Sequence, residues 1–97
     1  MTVDVIAEQL RKQADNVSSL GARLKFVLDD DVIMIDGSGD QNIVSLDDGE
    51  ADTTIICSKE TLLKLKNGEL NPMMAVMGGK VKIKGDMGLA MKLQSLL

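Results

Sequence analysis

The sequence predicts an α+β fold with helices packed on one face of a sheet, and three observations carry that prediction. Apolar residues recur at spacings of three and four near the amino terminus, after Ser58 and again after Asp86. Between residues 22 and 57, and from 80 to 84, they alternate with polar residues or form short β-branched runs. Clusters of Gly, Asp and Asn separate these segments, as turns require. A chain of 97 residues with 44% hydrophobic content fits one domain over residues 1–97. It can bury roughly two thirds of its unfolded surface.

Thr2 caps a first helix with Asp4 near its positive end, and Ile6, Leu10, Ala14 and Val17 form its apolar stripe. Ser18, Ser19 and Gly21 break that period. Residues 22–28 read as a half-buried strand in which Leu24, Phe26 and Leu28 point inward. After Asp29-Asp30-Asp31, the run Val32 to Ile35 is apolar on both faces and suits an interior strand. Asp36 to Asp40 turn the chain into a third strand at 41–46, and Asp47-Asp48-Gly49 turn it into a fourth at 51–57. Ser58 caps a helix carrying Leu62, Leu63 and Leu65 that ends at Gly68.

The last third holds the most specific punctuation. Asn71-Pro72 is a helix start, Met73 to Met77 fill a short apolar helix, and Gly78-Gly79 close it. In Lys80-Val81-Lys82-Ile83-Lys84 charged and apolar residues alternate strictly, which predicts a strand burying Val81 and Ile83. Asp86 then caps a closing helix with a stripe of Leu89, Ala90, Leu93, Leu96 and Leu97.

These motifs resemble the sterol carrier protein type 2 family of small lipid-binding domains. Its members commonly carry a Gly-x-x-x-Pro turn, a short apolar helix, a Gly-Lys-x-Lys-x-x-Gly-Asp strand and a leucine-rich final helix. Here these are Gly68 to Pro72, Met73 to Met77, Gly79 to Asp86 and Leu89 to Leu97. The strand-to-helix step from Ala51-Asp52-Thr53-Thr54-Ile55 to Ser58-Lys59-Glu60 also fits. The first 50 residues match only in element order. The resemblance implies a five-stranded mixed β-sheet with the helices over one face and an apolar tunnel between the layers.

Composition excludes several function classes. Without histidine the commonest general base and metal ligand is missing, and Cys57 alone cannot hold zinc or form an internal disulfide. Cys57 ends a β-branched strand and reads as a small buried hydrophobe. Asp36-Gly37-Ser38-Gly39-Asp40 lacks the ligand positions of a calcium loop, and Gly78-Gly79-Lys80 precedes a strand and so is no phosphate loop. The carboxylates at Asp29–Asp31 and Asp47–Asp48 fall in turns rather than a cleft. The expectation is a protein that is not an enzyme and needs no cofactor and no metal.

Charge is divided along the chain. Residues 1–57 hold four basic and twelve acidic side chains, a net of −8, whereas residues 58–97 hold seven and three, a net of +4. An acidic total of −4 with Phe26 as sole aromatic gives no expectation of nucleic acid as a partner. The basic half suits an anionic head group or membrane surface, for which Lys80, Lys82, Lys84 and Lys92 are the candidates; lysines on a strand also protect an edge from pairing. No apolar run approaches a bilayer span, no signal peptide is visible, and Ser95-Leu96-Leu97 lacks the basic residue of a peroxisomal tripeptide, so the expected location is cytoplasmic.

The remaining signal is a methionine cluster. Met73, Met74, Met77, Met87 and Met91 fall within nineteen residues, as ordinary core or as the wall of a cavity that adapts to its ligand. The resemblance implies the second. It makes Phe26, Ile55, Leu62, Leu65, Met73, Met74, Val76, Met77, Met87, Leu89, Leu93 and Leu96 the expected lipid-binding wall, with the closing helix sealing one end. The expected function is lipid binding and transfer: a fatty acyl chain, acyl-CoA, phospholipid or sterol-like ligand held in an apolar tunnel. The rival is a protein interaction or dimerisation module with a filled core and no ligand. Monomer and dimer both remain open.

Overall fold

The computed structural model, which describes residues 2–92 and 96, sets most element ends with side-chain caps. Helix α1 (Val3–Ala14) starts where Thr2 Oγ1 accepts from Val5 N at 3.4 Å. Strands β1 (Arg23–Leu28), β2 (Asp31–Asp36), β3 (Ile43–Ser45) and β4 (Thr53–Cys57) follow. Helix α2 (Lys59–Lys66) is capped by Ser58, whose Oγ accepts from Thr61 N at 3.0 Å. Helix α3 (Pro72–Met77) has Asn71 Oδ1 accepting from Met73 N and Met74 N. Strand β5 (Lys82–Gly85) leads to helix α4 (Met87–Met91), capped by the Asp86 carboxylate at Gly88 N and Leu89 N.

The strands form one sheet in the order β3-β2-β1-β4-β5. β1 pairs antiparallel with β2 and parallel with β4, and the β2–β3 and β4–β5 pairs are antiparallel, so the sheet is mixed as expected. Register places Phe26 beside Ile33 on one side and Ile55 on the other. Because side chains alternate, Leu24, Phe26, Leu28, Ile33, Ile35, Val44 and Ile55 share the face that the helices cover. α1 packs over β2 and β3, and α4 over β4 and β5.

Several boundaries differ from the sequence reading, among them the start of the fourth strand at Thr53 rather than residue 51 and the end of the first helix at Ala14, short of Val17. Two of the differences have a visible cause. The fifth strand starts at Lys82 rather than Lys80, because Lys80 N and Val81 N both donate to Ala75 O and finish the α3 turn instead of pairing with β4. The third strand starts at Ile43 rather than residue 41, since Asn42 turns inward. Its Oδ1 accepts from Leu20 N at 2.9 Å, and its Nδ2 lies 3.0 Å from Ser18 O and 3.5 Å from Ala14 O and Val17 O. Gly37 has to be glycine here, for a Cβ would come 2.6 Å from that Oδ1. The expected stripe on the closing helix is met at Leu89 and Ala90, and Leu96 is also buried; positions 93 and 97 lie outside the described residues.

A second buried polar group ties the chain's end to the sheet. Thr53 is fully buried, and its Oγ1 accepts from Asp86 N at 3.0 Å and donates to Asp86 O at 3.2 Å. Gly85 precedes this contact with φ +116, where a Cβ would lie 2.3 Å from Asp52 O.

Replacing Asn42 by Ala strands a buried N–H and leaves neighbouring carbonyls without a donor. The expected cost is about 1–3 kcal/mol. It should appear as a lower urea midpoint with an unchanged slope; an unchanged midpoint would show that water replaces the amide without loss.

Candidate functional site: the apolar seam between helices and sheet

The floor of the seam is β-sheet. Leu24, Phe26 and Leu28 of β1, Ile33 and Ile35 of β2 and Ile55 of β4 are all fully buried on the helix side. The ceiling comes from Ile6 and Leu10 of α1, Leu62 and Leu65 of α2, Ala75 of α3, Leu89 and Ala90 of α4, and Leu96. Every one of these groups is hydrocarbon, so together they can desolvate an apolar molecule.

Two apolar crevices open into the seam, one on either side of α2. The first lies between α1 and α2, lined by Ile6, Gln9, Leu10, Leu62, Leu63, Lys66 and Leu96. The second lies among α2, α3, β5 and α4, lined by Leu65, Pro72, Val76, Val81, Ile83, Ala90 and Met91. Each encloses about 10 Å³. That is room for about one water. Larger depressions, such as the 470 Å³ groove beside Leu20, Asp52, Asp86 and Lys92, are open and bordered by charged groups.

The expected wall residues divide into two groups. Phe26, Ile55, Leu62, Leu65, Leu89 and Leu96 are buried together in the seam, and Val76 is half-buried at the second crevice. Met73, Met74, Met77 and Met87 lie at the surface instead, 52%, 64%, 79% and 48% exposed. For the first three the reason is α3 itself: it is six residues long and turns its smallest side chain, Ala75, to the core, which leaves Met73, Met74 and Met77 on the outer side, while Met87 is the exposed first residue of α4, whose buried residues are Leu89 and Ala90. Leu93 lies outside the described residues.

Several crevice residues were not among the expected wall. Ile6 and Leu10 carried a readable signal, the first helix's stripe, and Val81 and Ile83 carried the alternation of the last strand. Pro72 and Leu63 gave none, since a helix-start proline and the off-face leucine of a Leu-Leu pair are equally common at a surface.

Charged and polar groups surround the seam. Lys82 and Lys84 sit exposed on β5, an edge strand, and Lys80 is exposed just before it. Lys92 is exposed, but its Nζ donates to Leu20 O at 3.2 Å. The loop at Asp36 closes on itself: Ser38 N and Oγ both donate to Asp36 Oδ1, which with the nearby Arg23 guanidinium holds that carboxyl below the usual range. Cys57 is buried at the end of β4, where burial first and the Asp29 charge second push its thiol up to about 11. Among the described residues, no helix is long and apolar enough to cross a membrane.

The chain's similarity to known proteins follows this geometry. A model described as the SCP-2 sterol transfer family matches residues 4–97. Over 59 residues, 61% of this chain and 11% of the other, it is 48% identical to sterol carrier protein 2 of Rattus norvegicus. Over 48 residues, 50% of this chain and 12% of the other, it is 46% identical to hydroxysteroid dehydrogenase-like protein 2 of Xenopus tropicalis. The chain thus spans little more than a tenth of the length of either relative. Its fold is similar to the solution structure of the sterol carrier protein domain 2 of Helicoverpa armigera, with TM-score 0.79 and 27% identity over 97% of this chain and 84% of that one.

The Cys57 environment makes a definite prediction. Only the thiolate attacks a disulfide reagent, so near neutral pH the folded protein should react with Ellman's reagent far more slowly than the urea-unfolded chain. Because the folded value stands above the ordinary 9.0, the thiol's contribution to stability is complete below pH 9 and lost as pH rises through about 11. Thermal unfolding of the parent and of Cys57→Ala across that window isolates the effect. Equal pH dependence in the two proteins would contradict it.

Proposed function

This chain belongs to the SCP-2 sterol transfer family, and on that premise we propose that it is a non-enzymatic, cytoplasmic lipid carrier. In this reading residues 1–97 act as one lipid-binding domain. The ligand is an acyl chain, free or as part of a fatty acyl-CoA, a phospholipid or a sterol-like molecule, held in the seam between helices and sheet. The observation that carries this reading is the placing of two apolar crevices on the two sides of α2, with Leu62 lining one and Leu65 the other. Lifting α2 away from the sheet joins them into one cavity. The floor stays fixed, because its residues are locked in three paired strands.

The energetics favour such an opening. Each methylene withdrawn from water contributes about 0.8 kcal/mol, so a long acyl chain supplies enough to offset the repacking of α2 and still bind at micromolar level. Phe26 and Ile55 form the floor of the occupied cavity and Leu62, Leu65, Val76, Leu89 and Leu96 its walls. Met73, Met74, Met77 and Met87 line its mouth. Lys80, Lys82, Lys84 and Lys92 meet the anionic head group, with Lys92 giving up its bond to Leu20 O.

A second reading has one observation in its favour. Ligand pockets commonly measure about 300–1,000 Å³. The crevices measure about 10 Å³ each. A core that stays filled would make the chain an interaction or dimerisation module.

Native mass spectrometry of the purified protein, before and after addition of palmitate, separates the two. The carrier reading expects an added mass equal to one fatty acid per chain; a ligand-free dimer that ignores palmitate supports the filled core.

A further inference from the structure

Helix α2 ends on an Asn-Gly pair. Asn67 is its C-cap with φ −81 and ψ −1, and Gly68 follows in the left-handed region at φ +75. Two backbone bonds fasten this end: Gly68 N donates to Leu65 O at 3.2 Å and Glu69 N to Lys64 O at 2.8 Å. This is the glycine-closed helix end, in which the two amides beyond the cap satisfy carbonyls of the last turn. The Asn67 side chain takes no part in it. It is exposed, and among the described residues its carboxamide has no hydrogen-bond partner. The other three asparagines of the chain stand differently. Asn16 donates to Lys12 O and is followed by Val17, Asn42 is buried with its amide engaged and is followed by Ile43, and Asn71 precedes Pro72, which has no N–H. Only after Asn67 does the chain offer a backbone N–H with no side chain beside it.

We propose that Asn67-Gly68 is a self-modification site, at which the chain loses ammonia through an internal imide at a rate set by fraying of the α2 C-cap. The Gly68 amide nitrogen gives its proton to solvent base and attacks Asn67 Cγ. The bond from Gly68 N to Cγ forms, the Cγ–Nδ2 bond breaks, and Nδ2 takes up a proton and leaves as ammonia. Water then opens the five-membered imide at either carbonyl, which yields aspartate or, with the main chain rerouted through Cβ and Cγ, isoaspartate. The folded cap opposes this step. Its Gly68 N–H is held by Leu65 O, and ring closure needs Gly68 N on the same side of the Cα–C bond as Cβ, which a helical ψ of −1 does not provide. The end of α2, with Lys66, Asn67 and Gly68 all exposed, opens at less cost than the sheet. The product cannot rebuild the cap equally well. Either acid places a negative charge beside Glu69 at a helix C-terminus, where the last carbonyls are already negative, and isoaspartate also lengthens the main chain between the paired groups. The turn so loosened carries Leu65, which lines the crevice beside α3.

Peptide mass spectrometry of the protein aged in mildly alkaline buffer, folded and in urea, tests the site. Asn67 should convert in both samples, roughly ten- to hundredfold more slowly in the folded chain, and ahead of Asn16, Asn42 and Asn71. Ageing should also lower the urea midpoint of the parent in step with conversion. Asn67→Gln, whose longer side chain would have to close a six-membered ring, should hold its midpoint over the same time. Equal rates in the two samples overturn gating by the cap. The site itself is overturned if the folded chain shows no conversion once the urea sample is complete, if another asparagine converts first, or if aged Asn67→Gln loses stability as the parent does. An aged parent with an unmoved midpoint overturns the effect on α2.

Discussion

The structure depends on covering one apolar floor. Leu24, Phe26 and Leu28 face the same side of a central strand paired on both edges, and Ile33, Ile35 and Ile55 extend that side across its neighbours. A surface of this kind cannot remain in water. At roughly 25 cal/mol per Å² its burial dominates the folding free energy, so every helix has to place its apolar stripe against it. The opposite face carries Lys25, Thr54, Lys82 and Lys84 among its apolar residues, with Lys25 bound to Asp48, and needs no helical layer. The asymmetry between the faces fixes a two-layer arrangement with an apolar seam between the layers.

Much of this was legible because the signals are local. Thr2, Ser58, Asn71 and Asp86 each cap the helix that follows, through bonds spanning two or three residues. Alternation in β1 set the inward direction of Phe26, and the double-faced run Val32 to Ile35 identified β2 as interior. What escaped depended on distant partners. Nothing near Asn42 in sequence marks it as the acceptor for Leu20 N, and nothing near Lys80 shows that its amide closes on Ala75. Methionine placement escaped for a similar reason: either side of a six-residue apolar helix can face the core, and the tertiary choice of Ala75 decided it.

That choice links fold to function. Ala75 lets α3 approach closely, which carries Val76 to the crevice and turns the flexible thioethers outward beside an edge strand of lysines. The lysines keep β5 from pairing with another sheet. Catalytic groups are not required anywhere in this scheme. Cys57, whose thiol burial holds in its neutral form, acts as one more hydrocarbon-like side chain under α2.

The central claim is that a closed seam opens for an acyl chain on the α2–α3 side while the sheet remains fixed. Methionine methyl resonances report on it directly, because Met91 lines the crevice between α3 and β5 whereas Met34 is buried on the opposite face of the sheet. On titration of the methyl-labelled protein with palmitate, the account predicts a saturable shift of the Met91 methyl with Met34 unmoved. Saturation with neither methyl moving, or a shift at Met34 alone, would contradict it.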